Sequence, residues 1–156
     1  MENLIGRNDP GYKPKDDYFT PKYIFDALKT VFDLDVAAPI GGNTAVPSIY
    51  YFDIHSDGLK SNWFGKVWMN PPFSAAKPWV EKFIEHNNGI ALLPTSKAKW
   101  FELMWAKSEA IVLLDNQLKF VYEGKKNKGI FMPCMLFAMG SDNAEILKRS
   151  GLSHVR

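Results

Sequence analysis

Residues 70–73, Asn-Pro-Pro-Phe, set an amide, two rigid rings and an aromatic face side by side, directly after the apolar run Val67-Trp68-Met69. Proline fixes φ and has no N–H, so Pro71-Pro72 makes a stiff turn whose carbonyls point outward. The Asn70 side chain adds an amide oxygen, a second acceptor of adjustable direction. Two acceptors at a fixed separation suit a planar –NH2 group, which offers two donors. Holding both hydrogens turns nitrogen electron density toward an incoming electrophile. Phe73 offers a flat face on which a planar ring can stack. An exocyclic amine on an aromatic ring is the natural guest. The plainer alternative is a strand-ending turn with Phe73 packed in the core, and four residues alone leave both open.

The elements around this turn follow from hydrophobic spacing. Thr20-Pro21 reads as a helix start, a capping hydroxyl before proline, and Ile24, Leu28 and Val31 with Phe25 and Phe32 form its apolar stripe. Leu34-Asp35-Val36-Ala37-Ala38 reads as a short buried strand carrying one acid, broken by the loop at 39–43. Ile49-Tyr50-Tyr51-Phe52 fits either a strand or a helical turn. Further strands are expected at 67–69, 90–93 and 110–114. Helices are expected at 77–87, with Trp79, Val80, Phe83 and Ile84 inward, at 97–107 and at 142–149. Two last runs, around 118–120 and 135–137, flank the tip Gly124-Lys125-Lys126-Asn127-Lys128-Gly129 as a C-terminal hairpin. This alternation predicts an α/β domain with one mostly parallel sheet and helices on both faces. Ligands of such sheets bind at the carboxyl ends of the strands, where Asp35 and Asn70 both fall.

Composition narrows the classes of function. A chain of 156 residues can bury a real core, and its 46% hydrophobic content argues against wholesale disorder. A formal charge of +2 neither requires nor opposes a polyanionic partner. Cys134 is the one cysteine and sits in an apolar run, so an inert thiol is expected and no disulfide can form within the chain. His55, His86 and His154 lack metal-ligand spacing, and no metal site is expected. With no signal-like start and no run of membrane-spanning length, a cytoplasmic location is expected.

Taken together, Thr20-Pro21, Leu34-Asp35-Val36-Ala37-Ala38 followed by Asn43, Asp57-Gly58-Leu59 with Trp63, the Asn70–Phe73 tetrad, Trp79-Val80, Leu92-Leu93-Pro94 and Leu118-Lys119-Phe120 occur in a specific order. From about Asp17 to Ala138 the chain resembles the phage and prophage Dam-type DNA adenine-N6 methyltransferases, which use S-adenosylmethionine. The resemblance implies a Rossmann-like methyltransferase fold over residues 20–156, behind a polar arm at 1–19. It implies Asn70, Pro71, Pro72 and Phe73 as the catalytic turn around a target adenine. It implies Thr20, Pro21, Asp35, Ala37, Asn43 and Asp57 at the cofactor, with Asp53 a rival to Asp57. A phage or prophage origin would place the protein in the cytoplasm of a bacterial host.

Two features depart from the wider methyltransferase pattern. The usual Gly-x-Gly loop is here Ile40-Gly41-Gly42-Asn43, and no segment is long enough for a separate target-recognition domain. Sequence selectivity must therefore be weak or come from loops. Lys125, Lys126 and Lys128 are the candidates for phosphate contacts, with a solvated hairpin tip as their alternative reading. Two other functions stay in view. A protein glutamine amide is also a planar –NH2, though the docking domain of glutamine methyltransferases is missing here. A non-catalytic nucleic-acid-binding module of the same fold is the other.

Overall fold

The computed structural model describes residues 19–42, 44–114, 120–122, 125–128 and 133–152. The arm at 1–18 and Asn43 lie outside the described residues.

Helix α1 spans Lys22–Leu28 and buries Ile24, Phe25 and Leu28. Its start differs from the expected one. Pro21 is the flanking residue, no side chain caps the helix, and the first turn closes from the Ile24 amide to the Pro21 carbonyl at 3.2 Å. The Thr20 hydroxyl is engaged elsewhere, at Asn70. Strand β1, Phe32–Asp35, ends earlier than the apolar run suggested. Beyond it the Ala37 amide donates to the Asp35 carboxylate, so the chain turns instead of extending the ladder.

Strand β2 is Ser48–Tyr51, which settles the ambiguous segment as a strand. Strand β3 is Val67–Met69, followed by a single 3-10 turn at Phe73–Ala75 and helix α2 at Ala76–His86. Strand β4 (Gly89–Pro94), helix α3 (Lys99–Lys107) and strand β5 (Ala110–Leu113) come next. Short strands β6 (Phe120–Tyr122) and β7 (Lys125–Lys128) precede strand β8 (Cys134–Met139) and helix α4 (Ser141–Arg149).

Six strands form one sheet in the order β2-β1-β3-β4-β8-β5. The ladders β1–β2, β1–β3 and β3–β4 are parallel, whereas β8 runs antiparallel to both β4 and β5. The sheet is thus mixed, where a mostly parallel one was expected. The expected hairpin is corrected as well. Phe120–Tyr122 pairs with Lys125–Lys128 in a separate two-stranded ladder, and Met135–Phe137 belongs to the main sheet. The lysines therefore lie on a strand, not on a tip between the last two strands of the sheet.

Both faces of the sheet are covered. Ile90 and Leu92 of β4 join Trp68, Leu136 and the buried residues of α1 and α4 in one core cluster. Ala91 and Leu93 point the other way, with Met69 and Phe137, onto Val80 and Phe83 of α2 and Met104 of α3. That alternation explains why β4 reads as an unbroken apolar run: each face has its own core. Trp68 is nearly fully enclosed, its ring 4.8 Å edge-on from Phe25 and 5.6 Å from Phe32. Burying a side chain of this kind contributes about 1.5–3 kcal/mol, and it locks β3 under α1 directly before the Asn70–Phe73 turn.

Candidate active site

Strand β3 stops at Met69 because neither Pro71 nor Pro72 can donate to a ladder. The chain then bends through Pro72 (φ −58°, ψ 119°) into the 3-10 turn and on into α2. Asn70 Nδ2 donates to Thr20 Oγ1 at 3.3 Å, and Thr20 is buried. This bond places the nitrogen end of the amide on Thr20. Pro71 is buried and Phe73 is half-buried, packed against the core cluster on the α1 side.

Asp35 closes β1, opposite Trp68 on β3 and Tyr51 on β2. Asn70 lies two residues beyond that partner, so the acid and the amide sit at the carboxyl ends of adjacent parallel strands. The Asp35 carboxylate is 3% exposed. Burial pushes its pKa up to about 7, and the Ala37 amide at 3.2 Å pulls only weakly the other way. It forms no ion pair with a described residue. A buried acid with one backbone donor and no cation beside it suits a positively charged ligand.

The two rival acids beyond β2 differ in what they already hold. Asp53 takes the Gly41 amide on one oxygen at 3.2 Å and the His55 and Ser56 amides on the other. Slight burial would raise its pKa, but these amides and the Ser56 hydroxyl outweigh that and lower it. Asp57 has a left-handed backbone (φ 53°), and its carboxylate receives the Lys60 amide at 3.3 Å and the Lys60 ammonium at 3.7 Å. Asp53 thus pins the glycine loop, while the Asp57 carboxylate is engaged only by Lys60 among the described residues. Gly58 after it is fixed by contact: a Cβ there would stand 2.1 Å from the Val36 carbonyl and 2.9 Å from the Trp79 ring. The Asp57 turn is thus pressed against the chain just past Asp35.

The Gly41-Gly42 loop has its own physical reason. Both glycines have positive φ, and a Cβ on Gly42 would meet the Tyr51 ring at 2.5 Å. The second glycine permits close approach to an aromatic side chain of this chain. Of the other expected residues, Thr20, Pro21, Asp35 and Ala37 gather with Asn70 around the ends of β1 and β3. Lys125, Lys126 and Lys128 lie on β7, inside the excursion that leaves at the end of β5 and returns at the start of β8. That return is tied to β4 by the Thr95 amide on the Pro133 carbonyl at 2.9 Å, so the excursion arises from the same edge as Asn70. A cleft of about 440 Å³ lined by Lys22, Phe25, Asp26, Thr30 and Pro47 lies at the opposite edge, before β1 and β2 begin, and takes no part in this arrangement.

Sequence reading missed two contacts. The pairing of Thr20 with Asn70 spans 50 positions, and a Thr-Pro dipeptide is a stronger signal for a helix start. Lys82 on α2 reads as a solvated lysine of an amphipathic helix, yet it hydrogen-bonds to the 58–61 turn.

Comparison with known proteins identifies the family. The sequence profile of the family described as DNA N-6-adenine-methyltransferase (Dam) matches residues 11–150. A DNA N-6-adenine-methyltransferase of Haemophilus phage HP1 (strain HP1c1) is 30% identical over 124 residues, which cover 72% of this chain and 70% of the relative. No solved structure gives a significant match. The chain belongs to the Dam family and is an adenine-specific DNA methyltransferase.

Proposed function

We propose that this Dam-family enzyme holds a flipped target adenine at Asn70 and the Pro71 carbonyl, with Pro72 stiffening the turn and Phe73 against the base. In the same reading Asp35, Ala37 and the Thr20-Pro21 segment bound the cationic end of S-adenosylmethionine, Asp57 meets its adenosine, and the sheet is a Rossmann-like methyltransferase sheet. The observation that carries this is the register of β1 and β3, which brings Asp35 and Asn70 to neighbouring strand ends. In open α/β sheets that edge is where ligands bind.

S-adenosylmethionine, the methyl donor the family implies, supplies an electrophilic methyl on a sulfonium. The buried, cation-free carboxyl of Asp35 fits such a charge. Asn70 and the Pro71 carbonyl accept the two amine hydrogens and aim the nitrogen lone pair at the methyl carbon. Thr20 holds the nitrogen end of Asn70, so the oxygen end is the one offered to the base. The amine would take the methyl directly as the carbon–sulfur bond breaks, the neutral thioether would leave, and the surplus amine proton would pass to water. Cys134 takes no part, since it is buried and its thiol is pushed up to about 12.

A base inside a duplex must leave the stack before it can reach this turn, at a cost of a few kcal/mol. Stacking on an aromatic returns about 1–3 kcal/mol per base, and half-buried Phe73 is the ring we assign to it. Phosphate contacts supply the remainder. Lys125, Lys126 and Lys128 are the residues we assign to them, because the β6–β7 ladder springs from the same sheet edge as Asn70.

The test is to incubate the protein with labelled S-adenosylmethionine and unmethylated DNA and to identify the labelled nucleoside. N6-methyladenine is expected. N4-methylcytosine alone would keep the turn chemistry but overturn the base. Calorimetric binding of the cofactor excludes a bare DNA-binding module, which would show none.

A further inference from the structure

We propose that Lys82 is a positioning residue for the cofactor: its ammonium holds the turn that carries Asp57 in the shape that presents the Asp57 carboxylate. This rests on the reading of Asp57 as the acid at the adenosine.

The Lys82 ammonium meets three backbone carbonyls of one short turn: Gly58 at 3.1 Å, Leu59 at 2.8 Å and Ser61. An ammonium has three donors, so the set is saturated. Its fourth neighbour is the Trp63 ring, 5.1 Å from Nζ to the ring centre. Trp63 in turn donates its indole N–H to the Gly58 carbonyl at 2.7 Å and stacks on Trp79 of α2 at 6.4 Å. Gly58 is therefore gripped through its carbonyl by an ammonium and an indole, and a Cβ on it would collide with the Val36 carbonyl.

Three carbonyl oxygens converging on one point repel each other unless a cation sits there. With Lys82 in place the convergence is favourable, and the turn can keep Asp57 in a left-handed conformation that non-glycine residues rarely adopt. Partial burial lowers the Lys82 pKa, and the charges of Asp57 and Glu85 counter it, so Asp57 also lies within the electrostatic reach of the ammonium. Removing that charge frees the carbonyls to turn toward water and lets the Asp57 backbone relax.

The test uses the full chain with four changes: Lys82→Met, which keeps the stem on Trp63 but removes the donors; Lys82→Arg; Asp57→Asn; and Lys82→Met with Asp57→Asn. Affinity for S-adenosylmethionine is measured by calorimetry, KM and kcat by methyl transfer, and folding by thermal unfolding. Lys82→Met should weaken cofactor affinity and raise its KM about tenfold or more, the scale of one lost charge-assisted hydrogen bond, with kcat at saturating cofactor unchanged. Lys82→Arg should recover most of the affinity. The double variant should bind no worse than Asp57→Asn alone, because both changes act through one group. A lowered unfolding temperature with normal affinity in Lys82→Met would make the lysine a structural staple and overturn the proposal, as would losses that simply add. If Asp57→Asn itself binds normally, the reading of Asp57 fails and the proposal falls with it, a result distinct from failure of Lys82 alone. Should Lys82→Met not fold, Lys82→Gln is read by the same criteria.

Discussion

The amide of Asn70 has its nitrogen on the Thr20 hydroxyl. If Asn70 acts as proposed, replacing it with Ala removes an acceptor used in the transition state and leaves Asp35 untouched. Methyl transfer should fall by about 10²–10³-fold, the loss seen when one preorganised polar contact is deleted, while calorimetric cofactor affinity stays nearly constant. Asp35 should behave in the opposite way. Asp35→Asn should weaken cofactor binding by roughly ten- to a hundred-fold, the equivalent of a charge-assisted hydrogen bond of about 1.5–3 kcal/mol. Its pH dependence has two opposite signs. Without ligand, the folded chain keeps Asp35 protonated up to about 7, whereas an unfolded Asp releases its proton near 3.8. The stability due to neutral, buried Asp35 is thus fully present below 3.8 and lost as pH rises through about 7. A cationic ligand favours the carboxylate, so affinity should rise with pH up to about 7, by up to about tenfold per unit. Calorimetry at several pH values should show this slope in the parent and a flat line in Asp35→Asn.

At the level of elements, the Asp57 turn depends on the absence of one atom. Gly58→Ala would force a Cβ to within 2.1 Å of the Val36 carbonyl. Overpacking of this kind costs about 1–3 kcal/mol, so thermal unfolding should drop by several degrees, with cofactor affinity falling alongside it. Helices and strands were legible in the sequence where they carry a strong local pattern. Val67–Met69 and Ile90–Leu93 are apolar on both faces, and α2 shows a helical stripe at Val80 and Phe83. Asn70 and Asp35 were legible as site candidates because each follows or ends such a strand. What stayed hidden is non-local. No pattern within Met135–Phe137 tells that it runs antiparallel between β4 and β5. Nothing near Lys82 announces three carbonyls more than twenty positions away. Thr20 was misread as a cap because its true partner lies fifty positions on.

For the whole molecule, the question is how a sheet of this size grips a duplex. If Lys125, Lys126 and Lys128 all meet phosphates, they add about −2.7 to the slope of log affinity against log salt, from about −0.9 per contact. Changing the three to Gln should flatten that slope by up to this amount on every DNA sequence alike, with cofactor affinity unchanged. Parallel salt lines for the two proteins would show that the lysines are only a solvated strand. The antiparallel β8 has one more consequence. The Leu114 amide donates to the Cys134 carbonyl at 3.0 Å, and Leu113 is in register with Met135, so the chain leaves the sheet and returns to it at a single moored gate. Whatever is strung between those posts can be lengthened at only about 0.6 kcal/mol per doubling of a flexible loop, without moving the strands that carry Asp35 and Asn70. Changes of length between those two posts should therefore leave the register of β1 and β3 in place.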